Sequence, residues 1–238
     1  MGLRWPERWT LIAVLILGAA GNAAAHDIIT TPITWDREIS RIVYDRCASC
    51  HHDGGQAFSL MTYAAARPWA VAIKEEVLER RMPPWGAVKG FGDFRNDQAL
   101  TPEQFELFIS WVGGGVPEGE AKDLAPDPKF DQQTPEVASH GVLAVSGEFQ
   151  LHKDFSLDGL LPKTVPEDAA FQITAELPDG SIEPLLWFEH YSAKFAHPFL
   201  YRNPIELPEG TKIHGLPQGS TVLLLPAPSN TTKATPTP

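Results

Sequence analysis

Residues 117–136 divide the chain into two stretches with different patterns. Pro117, Pro126, Pro128 and Pro135 fall there among six acidic residues and two lysines. Proline removes backbone donors and like charges repel, so this segment reads as an extended linker or a strap lying over the surface. The linker proper is placed at 120–136. Apolar residues before it recur at helical spacing, and after it they come in short runs between turn signals. The fold expected is therefore multidomain: a small all-α domain at 30–119, then an all-β antiparallel sandwich at 137–228. A length of 238 residues suits two small units, and 43% hydrophobic residues exclude wholesale disorder.

In the first unit, Trp35, Ile39, Ile42 and Val43 mark a helix that ends at Cys47. A second opens at Pro68-Trp69, carries Ile73, Val77 and Leu78, and stops before Pro83-Pro84. For the third, Thr101 is the N-cap, Pro102 takes the first helical position and Gln104 completes a capping box. Phe105, Phe108, Trp111 and Val112 form its apolar face, and Gly113-Gly114-Gly115 ends it. In the second unit, 141–145, 170–175, 185–188 and 221–225 read as strands. Pro178-Asp179-Gly180 and Pro208-Glu209-Gly210 are the turns between such runs. The tail 229–238 is polar and proline-bearing, and disorder is expected there.

Residues 1–25 read as a signal peptide. Arg4 and Arg8 precede the apolar run 11–17, and Ala23-Ala24-Ala25 offers a cleavage site. A periplasmic or secreted protein, cleaved near Ala25, is expected. The run is short for a membrane span, and a retained anchor is the alternative. The net charge of −11 argues against a nucleic-acid partner, because neutralising phosphates takes clusters of Lys and Arg.

The only cysteines are Cys47 and Cys50, and His51 follows them directly. Two cysteines cannot build a disulfide scaffold, but Cys47-Ala48-Ser49-Cys50-His51 has the spacing of c-type haem attachment. Thiols one helical turn apart can each add to a vinyl group on one edge of a porphyrin, and the next residue's imidazole can reach the iron. A thioredoxin-like pair would follow a buried strand, whereas this pair ends an amphipathic helix. A zinc site would need further ligands at matched spacing, and after His52 the next histidine is His140.

For the sixth ligand, Met82 sits where a helix yields to the rigid Pro83-Pro84 turn, which can hold a thioether over a ring. A gap-filling core role stays open for it. Met61 reads as a core or ring-edge contact, and His52 cannot reach the opposite face. Arg80 and Arg81 read either as propionate partners or as a solvated helix end. Trp69, Trp85 and Trp111 read as pocket and core.

These residues carry a resemblance. Residues 33–119 resemble the small cytochrome c-like domain of bacterial proteins in which it precedes a copper type II, ascorbate-dependent monooxygenase-like module. The shared words are Cys47-Ala48-Ser49-Cys50-His51, Leu60-Met61-Thr62-Tyr63, Ala66-Arg67-Pro68-Trp69-Ala70, Arg81-Met82-Pro83-Pro84-Trp85, and Trp111-Val112 with Gly115-Val116-Pro117. The resemblance implies His51 as proximal and Met82 as distal ligand. The second half is more faintly similar to the C-terminal module, in Leu177-Pro178-Asp179-Gly180, Glu183-Pro184-Leu185-Leu186-Trp187 and Leu207-Pro208-Glu209-Gly210-Thr211. The chain departs from that family's copper chemistry. It has no methionine after Met82, and His140, His152, His190, His197 and His214 form no H-x-H or H-x-x-H pair.

The function expected is that of a monohaem c-type cytochrome carrying one covalent haem c. Cys47, Cys50, His51 and Met82 would bind the cofactor, and His51 and Met82 would ligate the iron. It would transfer electrons to a redox partner protein, a membrane respiratory or photosynthetic complex among the candidates, and transform no small-molecule substrate. The alternatives are a haem-supplied subunit or remnant of a copper monooxygenase-like oxidoreductase, a module docking a cytochrome onto a larger redox complex, and a haem sensor without a sixth ligand.

Overall fold

The computed structural model describes residues 31–129 and 140–228. The expected signal peptide and tail lie outside the described residues, as does the linker from 130 onward. No helix among the described residues is long and apolar enough to cross a membrane.

The Thr34 side chain caps a π-helical turn, Trp35–Ile39, that runs straight into α1, Ser40–Arg46. Thr62 caps the short α2, Tyr63–Ala66, which passes through a 3-10 turn at Arg67–Trp69 into α3, Ala70–Leu78. Helix α4, Pro102–Gly113, has the capping box read from its sequence. The Gln104 N–H donates to the Thr101 hydroxyl at 3.2 Å, and the Thr101 N–H donates to Gln104 Oε1 at 2.9 Å. Trp35, Ile39, Val43, Phe108 and Trp111 are fully buried between these helices. Each such side chain stabilises the unit by about 1.5–3 kcal/mol. Pro117 and Glu118 lie along the first turn, where their carbonyls accept from Trp35 and Asp36 N–H.

The second half forms two antiparallel four-stranded sheets. One has the order β1 (Leu143–Val145), β8 (Thr221–Pro226), β3 (Phe155–Thr164), β6 (Phe199–Leu207). The other has the order β2 (Phe149–Gln150), β7 (Lys212–His214), β4 (Ala169–Glu176), β5 (Ile182–Tyr191). Both sheets contribute to one apolar core, so this half is sandwich-like. The four runs expected as strands fall in β1, β4, β5 and β8. Strands β2, β3, β6 and β7 are additional: β2 and β7 are very short, Gly159 and Pro162 obscure β3, and Pro204 obscures β6. In β3 the register shifts between Leu157 and Gly159 and again between Pro162 and Thr164, so Pro162 lies at an irregularity of an interior strand. In β6, Pro204 sits on a sheet edge.

The two cores interleave along the sequence. Trp85, Ala87 and Phe94 lie within the span 30–119 yet are buried in the sandwich core. Residues 86–95 bridge the edge strands of both sheets. Val88 N–H donates to Trp187 O and Glu189 N–H to Gly86 O on β5; Arg95 N–H donates to Leu200 O and Arg202 N–H to Asp93 O on β6. The local pairings are Ala87 with Phe188 and Phe94 with Tyr201. Arg95 grips Asp158 with both arms at 2.9 and 2.8 Å, and the Tyr201 hydroxyl donates to Leu185 O across the core. The strap satisfies two open edges that would otherwise invite pairing with another chain.

Phe94 is 4% exposed and packs on Trp85, Phe199 and Tyr201. Phe94→Ala should therefore destabilise the sandwich by about 3–5 kcal/mol although its residue belongs to the helical span. Hydrogen exchange checks this: the Glu189 and Arg202 amides should exchange faster in the variant. Unchanged protection there would contradict the strap's role.

Candidate functional site

Helix α1 does not stop cleanly at Arg46. Cys47 and Ala48 N–H both donate to Val43 O, and Cys50 and His51 N–H both donate to Cys47 O. Cys47 and Cys50 are thereby held one turn apart, with His51 on the same turn. The following loop folds back onto it, since Ala57 N–H donates to Cys50 O and Leu60 N–H to His51 O. Gly55 makes this closure possible: a Cβ there would lie 2.5 Å from the Cys50 carbonyl oxygen.

The same loop orients His51. Its Nδ1 lies 2.9 Å from the Phe58 carbonyl oxygen. A carbonyl only accepts, so Nδ1 carries the proton and Nε2 keeps the lone pair that binds metals. The Phe58 ring packs edge-on to the imidazole at 5.0 Å and also meets Trp69 at 4.7 Å. Phe58 is 50% and Trp69 47% exposed. An apolar patch therefore stands open beside a histidine prepared for a metal, a surface that a flat apolar group would cover.

Met82 lies beyond α3. That helix ends with Arg80 in the left-handed region at φ 56, Arg80 N–H donating to Val77 O and Arg81 N–H to Glu76 O. This is the Schellman pattern with arginine where glycine is usual. The Met82 N–H also donates to Glu76 O, and Trp85 N–H folds back to Pro83 O at 2.7 Å. Met82 helps line a cavity of about 260 Å³ between the helices and the sandwich, with Val77, Trp85, Leu100 and Phe105. His51 is not among its lining residues. The indole Nε1 of Trp85 is buried without a hydrogen-bond partner among the described residues.

Arg80 pairs with Glu189 of β5, and Arg81 with Glu76 and Glu79, so both arginines already have carboxylate partners. Trp111 is a core residue whose Nε1 donates to Pro117 O. Trp85 belongs to the sandwich core, and Trp69 to the exposed patch. Met61 leaves its carbonyl to the Tyr44 hydroxyl. Phe58 and Gly55 escaped the sequence reading. Their loop carries the signal Asp53-Gly54-Gly55, a turn that has to return to the cysteines. No family model, curated protein or solved structure matches this chain. Among the described residues no group of three or more His, Cys, Asp or Glu could hold a metal ion.

Burial pushes the Cys47 thiol up to about 12, and Asp45 adds to the effect. In the chain without thioether bonds, this thiol stays neutral in the fold at a pH where an unfolded cysteine, with a pKa near 8.5, has ionised. Ionisation then favours the unfolded chain. The contribution is complete below the unfolded pKa and is lost as pH rises towards about 12, by at most about 1.4 kcal/mol per pH unit. Stability to urea of the protein with both thiols free should fall more steeply across that window in wild type than in Cys47→Ala. Tyr44, Tyr191 and Tyr201, all raised by burial, titrate in both proteins and cancel from the comparison. Parallel curves would refute the buried-thiol assignment.

Proposed function

We propose that this chain is an exported monohaem c-type cytochrome that carries electrons between partner proteins. The observation that carries the reading is the His51 ring. Its Nδ1–H is spent on the Phe58 carbonyl, so Nε2 is available on the helical turn that also holds Cys47 and Cys50. The residues fit the group in three further respects. Two thiols sit one turn apart, an apolar aromatic patch borders the histidine, and beside Met82 the buried Trp85 N–H has no acceptor among the described residues, one that a carboxylate could supply.

When bound, the haem would supply a one-electron Fe(III)/Fe(II) couple. Cys47 and Cys50 would tether it as thioethers. The hydrogen bond from His51 to Phe58 fixes the ring's tautomer and orientation and raises its basicity. Met82 would complete a His/Met pair, with its backbone tied to the end of α3. Phe58 and Trp69 keep water from one side. The chain from 117 onward carries most of the net negative charge, which suits steering towards a basic partner. The cytochrome c-like domain and the copper-module resemblance belong to this proposal.

Protein matured in a host competent for c-type haem attachment should retain haem on a denaturing gel and give a c-type pyridine haemochrome. Cys47→Ala and Cys50→Ala should each disturb that attachment. Absence of covalent haem in the wild type would end the reading. Met82→Ala should abolish the red thioether-to-iron absorption of the oxidised protein and open the reduced protein to carbon monoxide; an unchanged band would remove Met82 as ligand.

A further inference from the structure

Among the sandwich side chains that meet the Met82 loop, His197 both stacks on Trp85 and reaches its backbone. His197 stands on the segment leading into β6. Its ring stacks on Trp85, with centroids 4.7 Å apart and planes 17° from parallel, and it packs on Phe199 at 4.6 Å. Its Nε2 lies 3.1 Å from the Trp85 carbonyl oxygen, and its Nδ1 lies 3.1 Å from Pro198 O. The Pro198 carbonyl already accepts from the Asn96 side chain at 2.8 Å. Among the described residues His197 alone is recorded as a donor to Trp85 O, so the proton of a neutral ring belongs on Nε2.

We propose that His197 is a positioning residue which holds Met82 at its ligating position by clamping Trp85 to the sandwich. This inference rests on the cytochrome reading above and gives the β half a task within it. Met82 is bracketed by two restraints. On the N-terminal side, its own N–H and that of Arg81 are tied to Glu76 O at the end of α3. On the C-terminal side, two prolines transmit the position of Trp85, whose N–H closes onto Pro83 O. Proline fixes φ, so few torsions separate the clamped indole from the thioether. Trp85 is 4% exposed, and its ring is enclosed by His197, Phe94 and Phe199. Desolvation lowers the His197 pKa, which keeps the ring neutral and its single N–H on the tryptophan carbonyl at neutral pH.

The test uses full-length, haem-loaded protein and four variants: His197→Ala, His197→Gln, Met82→Ala and Val222→Ala. Three quantities are read in each: covalent haem on a denaturing gel, the red thioether-to-iron absorption of the oxidised protein, and carbon monoxide binding by the reduced protein. His197→Ala should retain covalent haem but lose most of the red band and gain carbon monoxide binding, approaching Met82→Ala. His197→Gln, which keeps an amide donor near the Nε2 position, should recover much of the band. Val222→Ala weakens the same core away from Trp85 and should keep the band, separating clamping from general loss of stability. A full band in a folded His197→Ala protein overturns the proposal while the cytochrome reading stands. Equal loss in Val222→Ala overturns it too. If His197→Ala fails to fold, a fifth variant, His197→Leu, which fills the space without a donor, decides: loss of the band with covalent haem retained supports the clamp, and a full band overturns it. Absence of covalent haem in every protein, wild type included, counts against the cytochrome itself.

Discussion

Four backbone hydrogen bonds from residues 86–95 to strands β5 and β6 hold this molecule together as one object. Each sheet has two edge strands, and one of each pair, β6 in one sheet and β5 in the other, lies beside this segment. A single connecting segment between α3 and α4 satisfies both, and its Trp85, Ala87 and Phe94 fill the core beneath them. The helical unit therefore surrenders its longest loop to the sandwich. Everything the loop carries, including Met82 at its start, takes its position from both halves.

The cysteine turn depends on nothing so distant. It is built from hydrogen bonds between residues 43 and 60, and its one demanding contact is the approach of Gly55 to the Cys50 carbonyl. Orientation of the histidine follows from that closure, because the carbonyl that receives its proton belongs to the same loop. The two regions are thus built unevenly: the cysteine turn is local, and the Met82 segment is assembled from parts more than a hundred residues apart.

That unevenness decides what could be read from the sequence. Helix α4 was legible to the residue, because Thr101, Pro102 and Gln104 act on their own backbone. The strands with uninterrupted apolar runs were legible for the same local reason. Strands β3 and β6 were not, since Gly159, Pro162 and Pro204 argue against a strand until bulges and an edge position accommodate them. The cysteine spacing and His51 stood out because their chemistry is set by adjacency. In the sequence Trp85 reads as pocket and core with nothing to tie it to the sandwich, and His197 has no neighbouring histidine to mark it. Nothing in the text near either one names the other; only the folded sheet edge brings them into contact.

The interleaving of the two cores also fixes an order in time. A chain made from its amino end presents Cys47, Cys50 and His51 long before residue 197 exists. The attachment turn can form from what is already there, while the strap has no sheet edges to join until β5 and β6 are complete. The segment that carries Met82 then has its sandwich contacts only once those strands are in place. A maturing chain would remain open on that face until its carboxyl-terminal half has folded.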